Sequence, residues 1–507
     1  MATTSFNIES NGTVRINIEP NDNDIKFKTE NGAVSIGTTG TACLDLYFKL
    51  VRNIDNNGLL KLLTKSWEES PIDTMKLLFQ SRDSRGGKGD RKPFLFAMQE
   101  FIIKKYPEWF IKNLENIPEY GRWLDLIEIV INKNLTDDIK QKIIELVANQ
   151  LEKDYKSMNE KKEVSLLAKW FPSEGNKWDK GNFRRLVCYK LFLSDNDKYM
   201  FTKLRKEYIT PLRNYIKIVE SKMCAKEWNE IEYSHVPSVA MTKLRKAFKK
   251  NDEERFKQYI EDVKNNKTKI NADQVYPHDL VRHYLKVDNI IDDVIEEQWK
   301  VLVKKYDEPN LKNTAVISDV SGSMEGTPME VSIALGILIS TIAKEPFHKQ
   351  LITFCNNPTF HNINNTHSLF ASVNSVKNME WGTNTNIQKV FDMILEKTVK
   401  EDMEMIDKII ILSDMQFDTA NNNSKTNYKV IKDKYEKHGF KLPHIIFWNL
   451  RGDTHDYPVS NDDDNITLLS GYSPSQLSLV LTGNKLSAYE VMRLAIDNIR
   501  YDNIKSP

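Results

Sequence analysis

From Thr41 to about Lys305, apolar residues recur at helical spacing. Cys43, Leu44, Tyr47, Phe48 and Val51 fall on one face, as do Leu59, Leu60, Leu62, Leu63 and Trp67. Pro71 opens a further helix, and the pattern continues over 93–105, 107–115, 121–132, 136–155, 163–170, 181–193, 200–220, 238–250 and 252–265. Many short helices with brief breaks suggest helix pairs stacked in a repeat-like array, although no strict period emerges. After Asp307–Asn313 the pattern changes. Apolar strand runs at 315–318, 350–354, 408–413, 444–449 and 466–469 alternate with helical stretches at 328–343, 386–399, 426–437, 474–481 and 487–499. Such alternation specifies βα units and a mostly parallel, doubly wound sheet. The expected organisation is a polar arm over 1–40 with room for a hairpin, an α-helical repeat-like domain over 41–308, and an α/β Rossmann-like domain over 311–500.

Composition adds little beyond a globular class: 507 residues, 40% hydrophobic, 28% charged, formal net charge +1. No global field marks a nucleic-acid or membrane binder. The helical half is mildly basic and the α/β half mildly acidic. Cys43, Cys188, Cys224 and Cys355 form no CxxC pair, so they read as reduced thiols of an intracellular protein. The opening MATTSFNIESNGTV has neither the basic nor the apolar region of a signal peptide, and no run approaches a membrane span. The expected location is the cytoplasm, with the nucleus as the alternative.

The candidate chemistry lies where the first strand of the α/β half ends. Asp319-Val320-Ser321-Gly322-Ser323 sets one carboxylate and two hydroxyls at alternating positions in a loop before a helix. Alone, this D-x-S-x-S is also what an ordinary polar turn looks like. Two later loops change its weight. Trp381-Gly382-Thr383-Asn384-Thr385-Asn386 precedes a helix, and Asp414 closes the strand Ile409–Ser413. Loops above one sheet edge would converge carboxylates and hydroxyls, which suit a hard divalent cation.

This set resembles the metal-ion-dependent adhesion site of von Willebrand factor A domains, and residues 311–500 resemble that fold. The resemblance implies Mg²⁺, or another divalent cation, held by Asp319, Ser321, Ser323, Thr385 and Asp414. Thr-Asn-Ile before an amphipathic helix favours Thr385 over Thr383 as the threonine ligand. It also implies a partner bearing an Asp or Glu carboxylate, which completes the coordination.

Catalysis finds no comparable support. No G-x-S-x-G, H-E-x-x-H or complete Walker A occurs, and no histidine belongs to the motif. Ser84-Arg85-Gly86-Gly87-Lys88-Gly89-Asp90 lacks a preceding strand and a Ser/Thr after the lysine, so it reads as an exposed basic turn. A metal-dependent hydrolase using Asp319 ranks last.

Phrases along most of the chain are similar to the family called domain of unknown function 2828. They include Thr39-Gly40-Thr41-Ala42-Cys43-Leu44-Asp45-Leu46, Ser84 to Arg91, Tyr120-Gly121-Arg122-Trp123-Leu124-Asp125-Leu126, Ala168-Lys169-Trp170-Phe171-Pro172 and Ile446-Phe447-Trp448-Asn449-Leu450. The resemblance implies a helical region followed by a von Willebrand A-like domain, without an assigned activity. The architecture is more distantly similar to the Ro autoantigen (TROVE) fold, a HEAT-like helical ring closed by such a domain. That likeness implies structured RNA as a second partner class, with Arg82, Arg85, Lys88, Arg91, Lys203, Arg205, Lys243 and Arg245 as phosphate contacts. The bland alternative for these charges is a solvated helix face. No DNA and no membrane partner is expected.

Overall fold

The computed structural model describes the chain apart from residues 1–3, 9–13, 19–25, 132–134, 181, 193, 195, 287–289, 308–310, 355–356, 364–367, 380–384, 402–403, 420–424, 455, 461–462 and 480–485, with side chains described from residue 27 onward except at 401. Strands β1 (Thr4–Ile8) and β2 (Val14–Ile18) pair antiparallel, a hairpin in the polar arm. A second antiparallel pair joins β3 (Lys26–Lys28) to β4 (Val34–Ile36).

The alternating half of the pattern forms a six-stranded sheet from β5 (Thr314–Ser318), β6 (Gln350–Thr353), β7 (His361–Asn362), β8 (Lys408–Ser413), β9 (His444–Asn449) and β10 (Ile466–Ser470). Its spatial order is β10-β9-β8-β5-β6-β7. Neighbours run parallel except β6 and β7. Every residue of β5, β8, β9 and β10 is buried, which is why these strands read as unbroken apolar runs rather than alternating ones. Helix Thr327–Ile342 packs on β5 and is buried nearly all round. It lies so close that a Cβ at Gly336 would meet Ser318 Oγ at 2.1 Å.

Between residues 42 and 306 the described residues form helices and no strand. Helix Asp137–Asn159 shows the logic. Ile139, Ile143, Ile144, Val147 and Leu151 bury one face, and Asp137 and Asp138 occupy the first turn, where acidic groups complement the helix dipole.

Two compact units result, each drawn from two stretches of chain. One comprises Met1–Leu77 with Val275–Asp497, the other Leu78–Gln274 with Asn498–Pro507. Within the first, Ile36 and Tyr457 exchange backbone hydrogen bonds of 3.0 and 2.9 Å. Helix Ala42–Lys49 lies against β10, with Ser470 Oγ donating to the Tyr47 carbonyl at 2.8 Å. Within the second, Tyr501 donates to Asp83 at 3.1 Å and Asn113 Nδ2 to the Lys505 carbonyl at 2.8 Å. Helix Leu369–Lys377, absent from the sequence expectation, is nine residues of mixed Ser, Asn and apolar character. Expected helix 474–481 is a short 3₁₀ segment, Pro474–Leu479.

Candidate metal centre

The strand order reverses at β5: the chain moves from β5 out through β6 and β7, then returns to β8 on the other side. Ligands of open α/β sheets bind at such a point, outside the carboxyl ends of the strands. Three adjacent strands end there in the same local turn. Asp319 Oδ1 accepts from Ser321 N, Asp414 Oδ1 from Gln416 N and Asn449 Oδ1 from Arg451 N, each at 3.0 Å. These turns, in which a short Asp or Asn side chain bonds the backbone two residues on, fix the side chain's direction without tertiary help. Met415, buried directly after Asp414, sits at φ +68°, an uncommon conformation for a non-glycine residue.

The second oxygens of the two carboxylates meet different partners. Ser413 Oγ donates to Asp319 Oδ2 at 2.6 Å. Arg451 Nη1 donates to Asp414 Oδ2 at 3.2 Å and to the Ser323 carbonyl at 3.0 Å. Ser321 Oγ and Ser323 Oγ lie 3.1 Å apart. Asp319 and Asp414 are fully buried. Burial, and then the neighbouring Asp414 charge, push the Asp319 carboxyl up to about 6. Asp319, Ser321, Ser323 and Asp414 are therefore gathered at one place.

Thr385 stands one step aside. Its hydroxyl donates to the Gln416 carbonyl at 2.7 Å, lies 3.1 Å from Asp418 Oδ1, and accepts from Asn31 Nδ2 at 3.1 Å. The polar bonds that hold Thr385 are thus to the 416–418 loop and to the N-terminal segment. Thr383 lies outside the described residues.

Oxygen-only donors suit Mg²⁺ or a similar hard cation, and the buried carboxylates give it charge to neutralise. Among the described residues no cluster of three or more His, Cys, Asp or Glu is arranged to hold a metal, so the hydroxyls would have to contribute.

Sequence reasoning missed three participants. Ser413 was visible as the residue before Asp414, but its bond to Asp319 depends on strand pairing. Arg451 follows β9 and is gripped by Asp453 through hydrogen bonds of 2.9 and 2.7 Å, which hold its guanidinium firmly protonated. Lys49 is buried, donates to Thr454 Oγ1 at 2.6 Å and lies 5.0 Å over the Tyr457 ring. Its desolvation lowers the ammonium to about 8, with Asp456, Asp45 and Asp414 opposing the shift. Nothing in its own helix signals that role.

The basic candidates separate into two groups. Arg82 is buried and pairs with Asp125 at 2.8 Å, where Arg91 also donates at 2.6 Å. Lys88 is fully buried, and burial lowers its ammonium with Asp90 as its charged neighbour. The stretch 84–90, expected as an exposed basic turn, is exposed only at Arg85 and Gly86. The reason is the buried Asp125 carboxylate, which draws both flanking arginines inward, and the close backbone passage at Gly87, where a Cβ would stand 1.9 Å from the Gln80 carbonyl. Arg85 donates to the Glu119 carbonyl at 2.7 Å. Lys203 lies over the Phe192 ring at 4.9 Å, Arg205 and Lys243 are exposed, and Arg245 bonds the Thr242 carbonyl.

Two protein-family models match the chain. One, described as domain of unknown function (DUF2828), covers residues 29–142 and 138–310. The other, domain of unknown function (DUF7788), covers 313–503. The chain is also 29% identical over 506 residues to "Uncharacterized protein L728" of Acanthamoeba polyphaga mimivirus, across 92% of this chain and 86% of that protein.

Proposed function

The chain belongs to the domain of unknown function 2828 family, and from that premise we propose that it is a non-enzymatic interaction protein whose von Willebrand A-like half binds a partner through a divalent cation. One observation carries the reading: two buried carboxylates and two serine hydroxyls meet at the switch point of the sheet. Asp319, Ser321, Ser323 and Asp414 would hold the cation, and Thr385 would join them only on exchanging its bonds to Gln416 and Asn31. A bound cation supplies a positive centre for an Asp or Glu carboxylate of the partner. The protein's own residues do the orienting: Ser413 fixes Asp319, and the turn to Gln416 fixes Asp414.

Calorimetric titration with Mg²⁺ or Mn²⁺ tests this. The expected result is a one-to-one isotherm that Asp319→Ala abolishes while circular dichroism keeps the folded spectrum. A folded wild-type protein that takes up neither cation overturns the reading. The RNA-binding reading draws no support from Arg82, Lys88 and Arg91, whose charges are met inside the protein.

A further inference from the structure

Arg451 touches two parts of the candidate centre. Its Nη1 reaches both Asp414 Oδ2 and the Ser323 carbonyl, so one guanidinium spans the second carboxylate and the D-x-S-x-S loop. Its other nitrogens are anchored on Asp453, and its backbone N–H is fixed by Asn449 Oδ1. The side chain is 19% exposed and the Asp414 side chain fully buried, so the pair is shielded from most solvent screening.

We propose that Arg451 is the built-in counter-ion of this site, competing with a divalent cation for Asp414, so that cation entry requires the guanidinium to leave Asp414 while Asp453 retains it. This rests on the metal-site reading above and sets how tightly that site binds. The physical ground is simple. A guanidinium already neutralising one of two carboxylates both occupies an acceptor oxygen and repels an arriving cation. A site that must first exchange its own cation binds more weakly by the fraction of time it is free. The device also gives specificity: a divalent ion can replace the guanidinium's charge with surplus, whereas a monovalent ion cannot.

The test is Mn²⁺ titration of the full chain, wild type against Arg451→Gln. The variant is expected to bind about tenfold tighter. A residue that merely supports the fold would give the opposite sign, because its loss loosens the loops and weakens binding. Equal or weaker affinity in folded Arg451→Gln overturns the proposal. Absence of Mn²⁺ binding in both proteins overturns the underlying metal-site reading instead. Should Arg451→Gln not fold, Arg451→Lys carries the test. It keeps the charge but has no fork to span Asp453, Ser323 and Asp414 together. A smaller tightening is expected from it, and unchanged or weaker affinity again overturns the proposal.

Discussion

Ser413 donates its hydroxyl hydrogen to Asp319 Oδ2 across 2.6 Å, and both groups are fully buried. Ser413→Ala leaves a buried carboxylate oxygen without that donor, which costs about 1–3 kcal/mol. Urea unfolding of the variant should show a lower midpoint with an unchanged slope. Lys49 gives a pH signature. Its ammonium falls from 10.5 to about 8 in the folded protein, so between those values the unfolded chain holds a proton that the folded chain has released. Unfolding free energy then rises with pH across that window, by about 3 kcal/mol at ~1.4 kcal/mol per pH unit. Lys49→Met should remove this share of the slope, while buried Lys88, lowered in the same sense, keeps its own; parallel stability curves for the two proteins between pH 8 and 10.5 would refute the assignment. These residues also mark the limit of sequence reading. Asp319, Ser321 and Ser323 are legible because their spacing is local, and Asp414 because it ends an apolar run. Ser413, Arg451 and Lys49 acquire their roles from partners dozens to hundreds of positions away.

At the scale of elements, the helix Thr327–Ile342 packs on β5, whose last residue directly precedes Asp319. Ser318, immediately before Asp319, bonds back to that helix through the Ser332 carbonyl at 3.1 Å. Gly336 faces the same Ser318, and a methyl group there would come to 2.1 Å from Oγ and 3.0 Å from Leu351 Cδ1. Gly336→Ala is therefore expected to force helix and strand apart, at about 1–3 kcal/mol. Adding Ser318→Ala removes the closest atom and should recover part of the loss in a double-mutant cycle, with coupling of about 0.5–3 kcal/mol. Strictly additive effects would show that the close packing is not what holds β5. Strands β5, β8, β9 and β10 were legible because burial on both faces gives them unbroken apolar runs, and the shorter β6 through Leu351-Ile352. Two-residue β7 was not, since it has no pattern to read, and its pairing with β6 is purely a backbone matter.

At the scale of the whole molecule, the sequence pattern and the family models both change near residue 310, yet compactness follows another line. Residues 1–77 join the sheet's unit through bonds that no local pattern announces. Asn449 Nδ2 donates to the Phe48 carbonyl at 3.1 Å, Ser470 Oγ to that of Tyr47 at 2.8 Å, and Thr29 Oγ1 to that of Phe417 at 2.7 Å. Helix Ala42–Lys49 buries Leu44, Leu46, Tyr47 and Phe48, so a polypeptide lacking it exposes the apolar surface it covers beside β10. Lys49 and Asn31 also bring their polar bonds to the rim of the candidate centre from this stretch. A polypeptide spanning only 311–497 is thus expected to unfold at lower temperature and to aggregate. A single chain joining 1–77 to 275–497 by a flexible linker should unfold cooperatively and bind Mn²⁺ as the full protein does. Scanning calorimetry and titration of the two polypeptides decide the matter. If 311–497 alone melts at the same temperature and binds the cation equally well, the N-terminal stretch is an attachment to the sheet rather than part of its fold.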